Sequence, residues 1–382
     1  MKVDSEFIIS MTSKLIKINS ENPPGREGEI ASFVAERLSE LGLKTRVDKF
    51  GDRANVVGVL KEGEGKKLLF LTHLDTVPAG ERENWSVPPF GGIIRSGKIY
   101  GRGAADAKGS LASMLGALKA LSDAGIGVKG ALILAAVADE EVNSKGVKRL
   151  LAKGLKADYA IVGEPTDLQV CVAHKGRLVI SVRFLGKSVH ASAPSLGVNA
   201  MYAASEFISK IESISGKKSS SHPLLGSATI APTMISGGIK DNVIPDEVEV
   251  VLDRRTLPGE KPEDVTRSIM EIAEKAAEEK KARARVQVKK WVPPAEIDLS
   301  SKLVGTAVET VSELLGVRVR PIGFNATCDM GFLIRAGIPS IILGPGSLEQ
   351  AHAVDEWISV DELAAAAEIY ASIILKFLGK GG

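Results

Sequence analysis

Five stretches of this 382-residue chain end in, or enclose, residues able to hold cations or move protons. "LLFLTHLD" ends in His73 and Asp75, and "GRGAADAKG" encloses Asp106. "ALILAAVADEE" ends in Asp139, Glu140 and Glu141, "YAIVGEP" reaches Glu164, and "IILGPGSLEQAH" passes through Gly344 to His352. Two imidazoles and three or more carboxylates in one crevice suit zinc, manganese or cobalt, and two ions rather than one. A thiolate site is excluded, because the cysteines number two, Cys171 and Cys328. The adjacent acids at 139–141 follow an apolar run, where unpaired charge is costly to bury. Bound cations would neutralise them.

Each residue alone has a plainer explanation. His73 could be a hydrogen-bonded strand-end residue, and Asp106 could cap the helix expected to begin near Lys108. Glu164 could open a helix in "GEPTD", and Asp139–Glu141 could form a solvated turn. Four strand ends carrying such groups at once favour a shared site over coincidence.

The elements that must position these residues read as follows. Apolar runs such as "KKLLFLTHLD", "GALILAAVADEE", "ADYAIVGEP" and "PSIILGPG" alternate with helical patterns. This predicts an α/β domain with a mostly parallel sheet covered by helices. In such sheets the ligand crevice lies outside the carboxyl ends of the strands. The pattern changes near His174. From there strands and helices run in the order βαββαβ, a split-βαβ unit over about residues 176–292, inserted into a catalytic domain of 1–175 and 293–382.

Composition narrows the function. Lys plus Arg is 49 against 47 Asp plus Glu, a net charge of +2 without a basic face for nucleic acid. The acids of "EIAEKAAEEKK" offset its lysines, which makes it a solvated helix end. Nothing approaches a membrane span. The first twenty residues read as an amphipathic helix rather than a signal peptide, so a cytoplasmic protein is expected. A serine hydrolase is excluded by the lack of a G-x-S-x-G elbow.

Eight segments together resemble the dinuclear zinc amidohydrolases that include acetylornithine deacetylase, succinyl-diaminopimelate desuccinylase, aminoacylase and glutamate carboxypeptidase. They are "NPPG", "LTHLDTVPAG", "GGIIRSGKIYGRGAADAKG", "ADEE", "VGEPT", "GKSVHASAP", "DNVIPDEVEVVLDRRTLPG" and "LGPGSLEQAHAVDEW", in family order over most of the chain. The resemblance implies that His73 and Glu164 hold one metal, Glu141 and His352 the other, and Asp106 bridges them. It implies Asp75 as the carboxylate that orients His73, and Glu140 as general base. The role of Asp139 stays open, with a solvent-facing position as one reading. The inserted unit resembles the family's lid and dimerisation domain, which implies a homodimer. His190 is matched to a histidine that polarises the scissile carbonyl, in its own or its partner's site. Asn242 and Arg255 are matched to residues that bind the substrate's carboxylate end, with Arg255 preferred to Arg254. The roles of Cys328 and Asp329 stay open, and His174 and His222 are read as structural.

The activity implied is metal-dependent hydrolysis of an N-acyl amino acid, with a dipeptidase as alternative and a silent binding protein as a more distant one. Zinc is expected, with cobalt or manganese as substitutes. The partners implied are a small N-acyl amino acid or short peptide, with neither nucleic acid nor membrane.

Overall fold

The computed structural model describes residues 1–215 and 221–379, in two compact units. The first comprises 1–172, 297–324 and 328–382; the second comprises 173–296 with 325–327.

The first unit is built on a sheet whose strand order is Lys44–Phe50, Arg53–Glu62, Gly130–Val137, Lys67–His73, Tyr159–Val162, Ser340–Ile342. The last four are parallel to one another. The first two are antiparallel, a departure from the purely apolar-run pattern. The cause is local: Phe50 pairs with Arg53, so Gly51 (φ +64°) and Asp52 make a two-residue hairpin that reverses the chain. Every residue of Gly130–Val137 is buried, as a central strand covered on both faces requires. Helices Ser5–Lys17, Gly109–Asp123 and Val360–Leu378 pack together on the sheet, with Ile8, Leu115 and Tyr370 buried among them. The first helix is opened by Asp4, whose side chain accepts the Phe7 N–H at 2.9 Å. Among the described residues no helix is long and apolar enough to cross a membrane.

The second unit is a four-stranded antiparallel sheet in the order Thr229–Gly237, Glu247–Thr256, Gly176–Leu185, Arg283–Val292. Helices Ala200–Ser215 and Pro262–Glu279 lie on one face. Alternate residues Leu178, Ile180, Val182 and Phe184 pack against Ala203, Phe207, Ile269 and Ala273. Thr229–Gly237 is an edge strand exposed along nearly its whole length.

Candidate active site

The four parallel strands end at one edge, and their next residues carry the chemistry. His73 is the last residue of its strand and is buried. Its Nδ1–H donates to the Asp75 carbonyl oxygen at 2.8 Å, which leaves the Nε2 lone pair free for a ligand. That Nε2 lies 3.0 Å from Asp106 Oδ1 and 3.7 Å from Glu164 Oε2. On the other side, His352 Nε2 lies 3.2 Å from Asp106 Oδ2 and 3.3 Å from Glu141 Oε1. The donor atoms thus form two clusters, His73–Asp106–Glu164 and Asp106–Glu141–His352. Asp106 belongs to both, one oxygen turned to each histidine.

These residues fit a pair of divalent cations. Glu141 Oε1 is buried and accepts no hydrogen bond. Burial raises the carboxyl of Glu164 to about 7, and that of Asp329 likewise to about 7. Desolvation, together with the charges of Glu164 and Asp329, holds Glu140 well above the usual carboxylate range. Burial opposes charge on Asp106, but the imidazoles of His352 and His73 beside it outweigh burial and lower its pKa. The neighbouring carboxylates of Asp106 and Glu141 in turn raise His352 to about 10. Acids crowded this closely call for positive charge.

Asp106 does not cap a helix. It sits in the irregular turn Ala104–Lys108, at φ −123° and ψ 91°, and the following helix has no side-chain cap. The turn is shaped by Gly103 at φ +84°, where a Cβ would come within 2.6 Å of Thr76 Cγ2. The turn hangs on Glu356, which the sequence did not single out. Glu356 is fully buried. Its Oε1 accepts the N–H of Ala105 at 2.8 Å and of Asp106 at 3.1 Å. Its Oε2 accepts Gly103 N–H at 3.0 Å and Arg102 Nη1 at 2.7 Å. Arg102 also donates to the carbonyls of Ala353 and His352. Pairing of Trp357 with Tyr100 brings these segments side by side.

Two expectations are corrected. The Asp75 carboxylate does not orient His73: its Oδ1 is 3.9 Å from Nδ1, and the carbonyl oxygen makes the contact instead. The carboxylate faces the acid turn, accepting Glu140 N–H at 3.1 Å and Glu141 N–H at 3.2 Å. Nor does Asp139 face solvent. It is fully buried, 3.1 Å from Arg53 Nη1 and 3.0 Å from Asn22 Nδ2. Asp139, at φ +66°, turns inward, while Glu140 and Glu141 interact with the cluster.

Asp329 stands at the start of the helix Met330–Arg335 with both carboxylate oxygens buried and unpartnered. Burial also raises the pKa of the Cys328 thiol beside it.

In the second unit, His190 and Asn242 lie together. His190 bridges to Val243, and Ala191 N–H donates to the Asn242 carbonyl at 2.9 Å. The Ser192 N–H donates to His190 Nδ1 at 3.2 Å, which places the proton of a neutral ring on the exposed Nε2. Arg255 lies elsewhere. It is eight residues along the strand from Glu247, about 27 Å at strand rise, whereas Asn242 precedes that strand. Asn242 and Arg255 thus stand toward opposite ends of this strand. Arg255 Nε bonds Asp253 at 2.8 Å, and Arg254 is held by Glu260 at 2.6 Å. His174 is buried and pushed down to about 4 by burial, and His222 pairs with Glu296 at 2.9 Å, as structural histidines do.

Residues 69–376 match the peptidase family M20/M25/M40. The chain belongs to this family. Members of the M20/M25/M40 family are metal-dependent amidohydrolases and peptidases, and this chain is a metal-dependent hydrolase of that kind. It is 30% identical to an acetylornithine deacetylase of Proteus mirabilis, over 91% of this chain and 89% of the relative. It is also 30% identical to an N-formyl-4-amino-5-aminomethyl-2-methylpyrimidine deformylase of Bacillus subtilis, over 98% and 94%. A tripeptidase structure from Staphylococcus aureus superposes with a TM-score of 0.83 at 26% identity, covering 98% of both chains.

Proposed function

We propose that this chain hydrolyses the amide bond of an N-acyl amino acid at a two-ion centre, with zinc as the first choice of metal. The observation that carries this is the split of Asp106, one oxygen toward His73 and one toward His352, with Glu164 and Glu141 completing the two sets. Ions held there would polarise an amide carbonyl and acidify a water.

The chain's own residues supply the rest. Glu140, its backbone held on Asp75, takes a proton from the attacking water and returns it to the leaving amine. His190, with the proton on Nε2, donates a hydrogen bond to the developing oxyanion. Arg255 and Asn242 bind the carboxylate end of substrates held by two chains of a homodimer, since one chain separates them. The exposed edge strand Thr229–Gly237 supports that dimer, with Met234 67% and Ile235 60% exposed.

Metal analysis with a panel of N-acetyl, N-succinyl and N-formyl amino acids, beside dipeptides and tripeptides, tests the proposal. Turnover of acyl amino acids ahead of peptides supports it, and turnover of peptides alone replaces it with an exopeptidase. The similarity to the tripeptidase keeps that second outcome in view.

A further inference from the structure

Between the acid turn and the first loop of the chain lies a buried network that none of the catalytic assignments uses. Asn22 is at its centre and is 2% exposed. Its Nδ2 donates to Asp75 Oδ2 at 2.8 Å and to Asp139 Oδ1 at 3.0 Å. Its Oδ1 accepts from Arg53 Nη2 at 2.9 Å. The amide can sit one way round only, with NH2 toward two carboxylates and oxygen toward a guanidinium. Arg53 in turn holds Glu27 at 2.6 Å and approaches Asp139 at 3.1 Å. The Asn22 backbone is tied too, its N–H donating to the Thr76 carbonyl at 2.8 Å.

The network closes on the base. Asp75 and Asp139 would repel each other, and Asn22 joins them with one N–H apiece. Asp75 then receives the amides of Glu140 and Glu141, while Asp139 begins the turn that contains them. The turn itself is closed by Ser144 N–H on the Asp139 carbonyl at 2.5 Å. We propose that Asn22, held by Arg53, is a positioning residue that sets the Asp139–Glu141 turn and so aims the Glu140 carboxylate. It touches neither substrate nor ligand cluster. Ala at 22 would take one hydrogen bond from each of Asp75, Asp139 and Arg53, and Asp would add a third carboxylate to the pair.

This inference rests on the proposed role of Glu140. The test uses the full-length, metal-loaded protein and the best acyl amino acid from the panel. Asn22→Ala is expected to lower kcat about tenfold to a hundredfold with KM within about twofold and two metals per chain retained, the scale found for residues that orient a catalytic group. Asn22→Asp is expected to fall further, and Arg53→Lys, which keeps the charge but loses the fork, is expected to fall less. Hydrogen exchange read by mass spectrometry gives a signal independent of turnover: the peptide spanning 138–144 should exchange faster in each variant, with the helix Val360–Leu378 unchanged. Unaltered kcat and unaltered exchange in a folded, loaded Asn22→Ala or Arg53→Lys protein overturns the inference. A fall in kcat that only tracks lost metal also overturns it. If the wild-type protein turns over nothing in the panel, the proposed function fails separately, and exchange at 138–144 still decides the role of Asn22.

Discussion

Glu356 accepts the backbone N–H of Asp106 at 3.1 Å, so the acid shared by both ligand clusters is held in place by an acid that belongs to neither. Four donors converge on that one carboxylate, and the arginine among them reaches on to the His352 carbonyl. Replacing Glu356 with Gln presents an NH2 group to N–H donors and removes the charge that holds Arg102. Expected is a loss of metal affinity of about tenfold or more, together with a lower melting temperature, as for other residues that orient ligands. Chelator competition measures it, and wild-type affinity in Glu356→Gln would show that the loop holds its shape alone.

Glu140 and Glu141 are neighbours to which the proposed mechanism gives separate tasks. Glu140→Ala should lower kcat by at least about a hundredfold with both metals bound, whereas Glu141→Ala should weaken one metal. Mass spectrometry of the bound metals beside turnover distinguishes them, and the reverse pattern would exchange the two assignments.

Removal of metal should abolish hydrolysis, and adding back zinc, cobalt or manganese should restore it. Saturation is expected near two ions per chain, because Asp106 serves two ligand sets. Full turnover by exhaustively chelated protein would end the metal mechanism.

The separation of Asn242, which precedes the strand Glu247–Thr256, from Arg255 near its end agrees with the proposal of active centres shared between two chains. Mixing His190→Ala with Glu140→Ala protein should restore activity, since a mixed dimer holds one intact set. Recovery should approach half of wild type per mixed dimer, about the value for one working centre in two. Mixed dimers as inactive as their parents would place His190 in its own chain's chemistry or outside the reaction.

Acid should remove one structural contribution in a defined window. Asp48 is buried and bonds Arg149 at 2.9 Å and Lys153 at 2.6 Å. The hydrogen bond from Arg149 is the main cause of its lowered pKa, against burial, with Lys153 adding to it. A folded pKa below the unfolded one stabilises the fold above the ordinary value of 3.8 and loses that contribution as pH falls through the folded value. Asp48→Asn should therefore cost about 1–3 kcal/mol at pH 7 and progressively less below about pH 4. Denaturation curves at both pH values check the sign, and an equal loss at both would assign the effect to packing.

The parts of the site that announce themselves in the sequence are those that end apolar runs. His73, Glu164 and the acids at 139–141 are visible because a buried strand must stop where polar residues begin, and the parallel sheet brings those stops to one edge. The supporting residues carry no such mark. Asn22 and Asp139 are 117 positions apart, and Arg53 reads as an ordinary charge at a hairpin. Glu356 sits in "AVDEW", where an acid looks like surface. Periodicity reports which face a residue takes on its own element, not which distant side chain meets it there. The solvent-facing reading of Asp139 failed for that reason. The order of the segments was legible, but the carbonyl of Asp75 acting in place of its carboxylate was not, because backbone contacts leave no trace in residue type.

Glu356 also gives the molecule a timetable. It lies 254 positions after Arg102 and 250 after Asp106. At roughly 5–20 residues per second, a ribosome needs about 10–50 s to travel from one to the other. Throughout that interval the Asp106 loop has been made and the side chain that receives its amides has not. The reactive centre is thus finished from the far end of the message, and a chain released before Glu356 would lack both the carboxylate that shapes its shared acid and the buried helix Val360–Leu378.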